Sequence, residues 1–85
     1  MIMLGDRRDR IRHEGPVSLW RQVADDIRTD IKTGRLKPGV KLPSYPDLGD
    51  MYGVATLTIR RAVLELRKEG LLVVTVGRGT YVTHK

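Results

Sequence analysis

The stretch from Pro43 to Val82 constrains this chain most, because its hydrophobic period changes once, at Leu71. Before that point Ile59, Ala62, Val63 and Leu66 fall at i, i+3, i+4 and i+7, the stripe of an amphipathic helix. After it Leu71 to Val76 and Thr80 to Thr83 are mostly β-branched and apolar, and Gly77-Arg78-Gly79 between them has the composition of a hairpin loop. Upstream, Ser44 stands where a side-chain oxygen can cap the first turn of a short helix, with Asp47 three residues on. Pro46 is harmless there, because first-turn N–H groups have no intrahelical acceptor. Gly53 supplies the stop. The spacing predicts helices near 45–52 and 56–69 and strands near 72–76 and 80–84.

The first half adds one more helix, near 18–33. Leu19, Trp20, Val23, Ala24, Ile27 and Ile31 form one stripe, while Asp25, Asp26, Arg28 and Asp30 read as its solvated face. Three aspartates suggest a cation site only superficially, since no histidine or cysteine accompanies them. No metal site and no cofactor are expected. Pro38-Gly39 makes a turn, under which Leu36 and Leu42 can tuck. Residues 1–15 show no periodicity and mix four arginines with three acids, so they are expected to be a mobile N-terminal arm ahead of one domain at 16–85. The core is expected to comprise Trp20, Ile27, Leu48, Ile59, Ala62, Val63, Leu66 and Leu71.

The chain has 85 residues, enough for one modest core, and carries a net charge of +6. Residues 1–31 balance six basic against six acidic side chains, whereas Lys32, Arg35, Lys37 and Lys41 follow with no acid among them. Residues 53–85 carry six basic and two acidic groups. Such clusters attract phosphate, and release of condensed counterions drives the binding. There is no cysteine, which excludes disulfides and thiolate metal sites and suits a cytoplasmic location. No apolar run approaches the ~18 residues of a membrane span. His13 and His84 lie near opposite ends, and Gly77 with Gly79 lacks both the third glycine and the strand-to-helix context of a dinucleotide loop. An enzyme is therefore not expected.

Four motifs in order, LxPGxxLPS (Leu36 to Ser44), LxxxYGV (Leu48 to Val54), TIRRAVxxLxxEGL (Thr58 to Leu71) and GRGTYV (Gly77 to Val82), resemble the winged helix-turn-helix of the GntR family. The resemblance spans roughly Leu19 to Val82. It implies an α+β fold of three helices and a two-stranded β-hairpin wing, with Val40 to Leu42 as a short strand beside the wing. It also implies operator DNA as partner, read by the helix from Thr56 in the major groove and by the wing on the adjacent groove.

The residues fit such a role. Ala55, Thr56, Leu57 and Thr58 are compact enough to admit backbone and bases, and Arg60 can read guanine or hold phosphate. Arg61 adds a cation, Gly77, Arg78 and Gly79 offer a flexible basic tip, and Ser44 and Tyr45 open a helix whose N–H groups can face phosphate. The departures are equally specific. LPSYP stands for the family's LPSER and GVATLTIRRAV for GVSRTTVREAL, so two contact arginines are absent at Pro46 and Thr56, and the serine cap is lost at Ala55. That cap is worth on the order of 1 kcal/mol unless Thr56 replaces it. Of the wing valines Val73, Val74 and Val76, one should face outward.

The expected function is a DNA-binding transcriptional regulator, a repressor, acting as two copies on an inverted repeat. The alternatives are a winged helix used for protein interaction and a small plasmid or phage accessory DNA-binding protein. No small-molecule effector site is expected in this chain, which ends just after the wing. It reads either as an excised domain or as a small stand-alone regulator.

Overall fold

The computed structural model describes residues 5–84. After a 3-10 turn at Arg8–Arg10 come α1 (Leu19–Lys32), α2 (Tyr45–Tyr52), α3 (Thr56–Lys68), β1 (Leu72–Thr75) and β2 (Gly79–Val82). Three helices followed by an antiparallel hairpin make this a winged helix-turn-helix.

The local signals act as their chemistry dictates. Ser44 Oγ accepts the Asp47 N–H at 3.2 Å, and Gly53 closes α2 in the left-handed region at φ 68. Gly49 lets α2 and α3 approach: a Cβ there would stand 2.9 Å from the Val54 carbonyl oxygen. The strands pair Leu72 with Val82 and Val74 with Thr80, and the expected short strand reduces to one bridge, Lys41 to Tyr81. β1 ends one residue early because Val76 already belongs to the loop, and β2 ends at Val82. Leu72 and Val82 turn into the core, while Val73 and Val76 are both exposed and Val74 is half-buried. Two of the three valines thus face outward rather than one.

The core joins the apolar stripes of α1 and α3 with Leu36, Leu42, Leu48, Tyr52 and the inner side of the hairpin. Trp20 and Leu71, expected inside, are only partly buried against it. Trp20 instead forms a platform for Arg61, whose guanidinium carbon sits 4.7 Å from the ring centroid. Among the described residues no helix is long and apolar enough to cross a membrane, and no cluster of histidine and acidic side chains could hold a metal ion.

The largest correction concerns the arm. Met1 to Leu4 lie outside the described residues, but the rest of the expected mobile segment is docked as far as Arg12. Arg7 is 2% exposed. Its N–H donates to the Met51 carbonyl at 2.7 Å, and its Nη1 reaches Asp26 at 2.6 Å and Asp30 at 2.5 Å. Tyr52, buried under the same group, donates its hydroxyl to Asp26 at 2.7 Å. Ile11 enters the core, and the Gln22 amide bonds both the N–H and the carbonyl of Arg12. Asp26 and Asp30 are consequently not a solvated face; Asp30 is buried and both aspartates neutralise Arg7. The fork of a guanidinium satisfies several acceptors at once, so its burial is tolerable only with these partners present.

Burial pushes the Asp26 carboxyl up, but hydrogen bonds from Tyr52, Arg10 and Arg7 outweigh it and hold the group below its ordinary value. A carboxylate with a lowered folded-state pKa contributes stability above its unfolded value, about 3.9, and loses it as pH falls through the folded one. The Asp26→Asn variant is therefore expected to show a flatter loss of stability below about pH 4 than the native chain, measured by urea unfolding across that range. An unchanged acid limb would count against this role.

Candidate nucleic-acid interface

The first turn of α3 is open. Its N-cap is Ala55, in extended conformation, with no side-chain cap, so Thr56 does not replace the missing serine. The Thr58 N–H is satisfied by the Ala55 carbonyl at 3.0 Å. Ala55, Thr56 and Leu57 are exposed, Leu57 at 73%, while Thr58 is half-buried. An exposed leucine beside uncapped N–H groups is a poor solvent surface. It is a suitable one for a partner that brings both an anion and a methyl group.

Arg60 and Arg61 differ although they are adjacent. Arg60 is exposed and makes no ion pair among the described residues. Arg61 is drawn toward α1 by the Trp20 ring, and its Nε lies 3.5 Å from Glu65. Its cation is partly spent within the fold, by a cation–π contact worth about 0.5–1 kcal/mol at an exposed site.

The second group of residues lines a cleft of about 490 Å³ between the wing and the start of α2. Ser44, Tyr45, Gly77, Arg78 and Gly79 all border it. The Arg78 N–H donates to the Thr75 carbonyl at 3.0 Å, closing a four-residue turn with Gly77 third at φ 77, a conformation that favours glycine. Ser44 uses its oxygen as acceptor for the α2 cap, which leaves its O–H free to donate outward. Sequence reasoning missed Lys41, which lines the same cleft and lays its side chain against Gly79. The signal was present in the acid-free basic run at 32–41, but only backbone pairing of its segment with Thr80, Tyr81 and Val82 brings it to the wing.

The eleven candidate residues thus form two sets, the open helix end with its arginines and the basic cleft beside the wing. A helix presented by a preceding short helix, with a hairpin beside it, defines the class of winged helix-turn-helix domains. Residues 19–82 match the bacterial regulatory proteins of the gntR family, and the chain belongs to that family. It is 36% identical over 73 residues to the HTH-type transcriptional repressor NagR of Bacillus subtilis, covering 86% of this chain and 30% of NagR. The chain therefore spans under a third of the length of that relative. Among solved structures it is similar to YtrA of Sulfolobus acidocaldarius, a GntR-family transcription factor, with TM-score 0.81 and 40% identity over 88% of this chain and 79% of that one. It is also similar to the AraR DNA-binding domain in complex with operator ORX1, with TM-score 0.76 and 33% identity over 86% of this chain and 94% of that one.

Proposed function

We propose that this chain is the DNA-reading domain of a transcriptional repressor, with α3 in the major groove and the wing on the adjacent groove. The observation that carries this reading is the uncapped first turn of α3, exposing Thr56 and Leu57 with an unpaired Arg60 one turn on. The likeness to an operator-bound domain supports duplex DNA as partner, and the description of NagR as a repressor supports the sense of regulation. Arg60 reads a base edge or holds a phosphate beside it. Arg78, Lys41, Ser44 and the start of α2 take the backbone. Tyr45, Ala55, Leu57, Thr58, Gly77 and Gly79 shape the approach, and Arg61 reinforces it from the α1 side. The role proposed is binding rather than catalysis, and it suits a cytoplasmic protein.

Selection of bound sequences from a random duplex pool tests the reading. Enrichment of one sequence, with affinity falling steeply as salt rises, is expected. Binding insensitive to salt would favour protein contact through Val73 and Val76 instead. On the selected site, Arg60→Ala is expected to cost about 1–3 kcal/mol and to relax the preference at one position. Arg78→Ala should weaken all duplexes evenly. A selected site indifferent to Arg60 would remove that residue from the reading set.

A further inference from the structure

The DNA-binding reading leaves the docked N-terminal segment without a role. Its most conspicuous feature is the pairing of a buried arginine with an exposed one directly after it. Arg7 is held by Asp26, Asp30 and Tyr52, and by its own N–H on the last turn of α2. Arg8 lies across Gly53, the residue that ends α2: a Cβ built on Gly53 would stand 2.8 Å from Arg8 Cγ and 3.2 Å from its Cδ. Gly53 is two residues before Ala55, the cap of α3. The aliphatic stem of Arg8 is therefore carried on the turn that leads into the open helix end, and its guanidinium extends from there.

We propose that this segment is a built part of the DNA-facing surface, with Arg7 as its anchor and Arg8 as a cation for the DNA backbone beside the turn. The inference rests on the DNA-binding reading. In a helix-turn-helix the start of the second helix enters the major groove, so the turn before it comes close to the groove wall, where the phosphates run. A buried ion network often stabilises a fold no more than packed apolar groups would, and its role here is positional. Here it fixes residue 7 and so places residue 8.

Arg8 is presently occupied by Asp6, through Nε at 3.0 Å and Nη2 at 2.7 Å, and its backbone N–H meets the same carboxylate. Both side chains remain largely exposed, at 65% and 61%. An ion pair so exposed holds its partners weakly, and a phosphate of the dense backbone array can take the arginine from it. Nη1 of Arg8 has no partner among the described residues, so a phosphate can engage the guanidinium before Asp6 releases it. Asp6 then acts as an internal competitor for the cation, lowering affinity for every duplex alike.

The test compares the native chain with Arg8→Gln and Asp6→Asn by fluorescence anisotropy. The probes are a duplex selected from a random pool and an unrelated duplex of equal length, titrated over a range of salt. For Arg8→Gln the slope of log K against log salt should be shallower by about 0.9, the value of one phosphate contact, on both duplexes. For Asp6→Asn binding should tighten on both, because the competitor is gone. Both side chains are exposed, so thermal melting of the two variants should coincide with that of the native chain. An Arg8→Gln slope equal to the native one overturns the proposal, and so does an Asp6→Asn variant that binds no tighter. A native chain that binds neither duplex overturns the DNA reading itself and the proposal with it.

Discussion

Replacing Arg7 by alanine is expected to remove about 3–5 kcal/mol of stability, the cost of leaving buried charge without its partner. The substitution strands Asp30, which is buried, and deprives Asp26 of its shortest ion pair. It also removes a donor from the Tyr52 hydroxyl. A domain this small is stable by only about 5–15 kcal/mol, so the variant should sit near its unfolding threshold at ambient temperature. Urea unfolding monitored by circular dichroism measures the loss. The paired change Arg7→Met with Asp30→Leu separates two explanations. If the cost is that of an orphaned carboxylate, the double variant should recover most of the stability. If the single variant loses less than about 1 kcal/mol, within the range of exposed pairs, the segment is not anchored as described.

A duplex carrying two inverted half-sites is expected to bind about 10²–10⁴-fold more tightly than one carrying a single half-site. One domain offers few base contacts, and Pro46 and Thr56 stand where the motifs LPSER and GVSRTTVREAL of the resemblance imply arginines. A lone half-site should then give affinities near the non-specific range of about 10⁻⁴–10⁻⁶ M. Two copies side by side on one duplex recover the difference, because the second binding event is effectively intramolecular. The outer edge of β1 has no strand beside it among the described residues, and Val73 and Val76 are exposed along that strand and its loop. Val76 is 96% exposed. That surface is where a second copy would add contact. Gel shift and sedimentation on the two duplexes give both affinity and stoichiometry. Equal affinity with one protein per duplex in each case would reject pairing and leave a monomeric reader.

Much of the architecture is local, and local chemistry was sufficient to read it. The Ser44 cap, the Gly53 stop, the stripe of Ile59, Ala62, Val63 and Leu66, and the glycines of the wing loop each depend on neighbours within a turn or two. Such features survive in one-dimensional order because a helix repeats every 3.6 residues and a hairpin turn needs its glycine in place. The loss of the serine cap at Ala55 was legible for the same reason, but that Thr56 does not take its place was decided by the folded structure.

What the tertiary structure alone decided involves residues far apart in the chain. Residues 1–15 nearly balance their charges and show no period, so nothing local distinguishes Arg7 from Arg10 or Arg12. Only the fold sets Asp26, Asp30 and Tyr52 around one point, 19, 23 and 45 residues away from Arg7. That arrangement turns a charged segment inward and an acidic helix face into its socket. For Trp20, the stripe on α1 identifies the side that faces α3 but not the depth of burial; the ring lies part-buried against the core and carries Arg61 above it. Lys41 reaches the wing through long-range backbone pairing of its segment with Thr80, Tyr81 and Val82. In each case the energy is a pairwise term between distant residues. Periodicity and composition carry no record of such terms, and only the packed chain brings the partners within hydrogen-bonding or van der Waals reach.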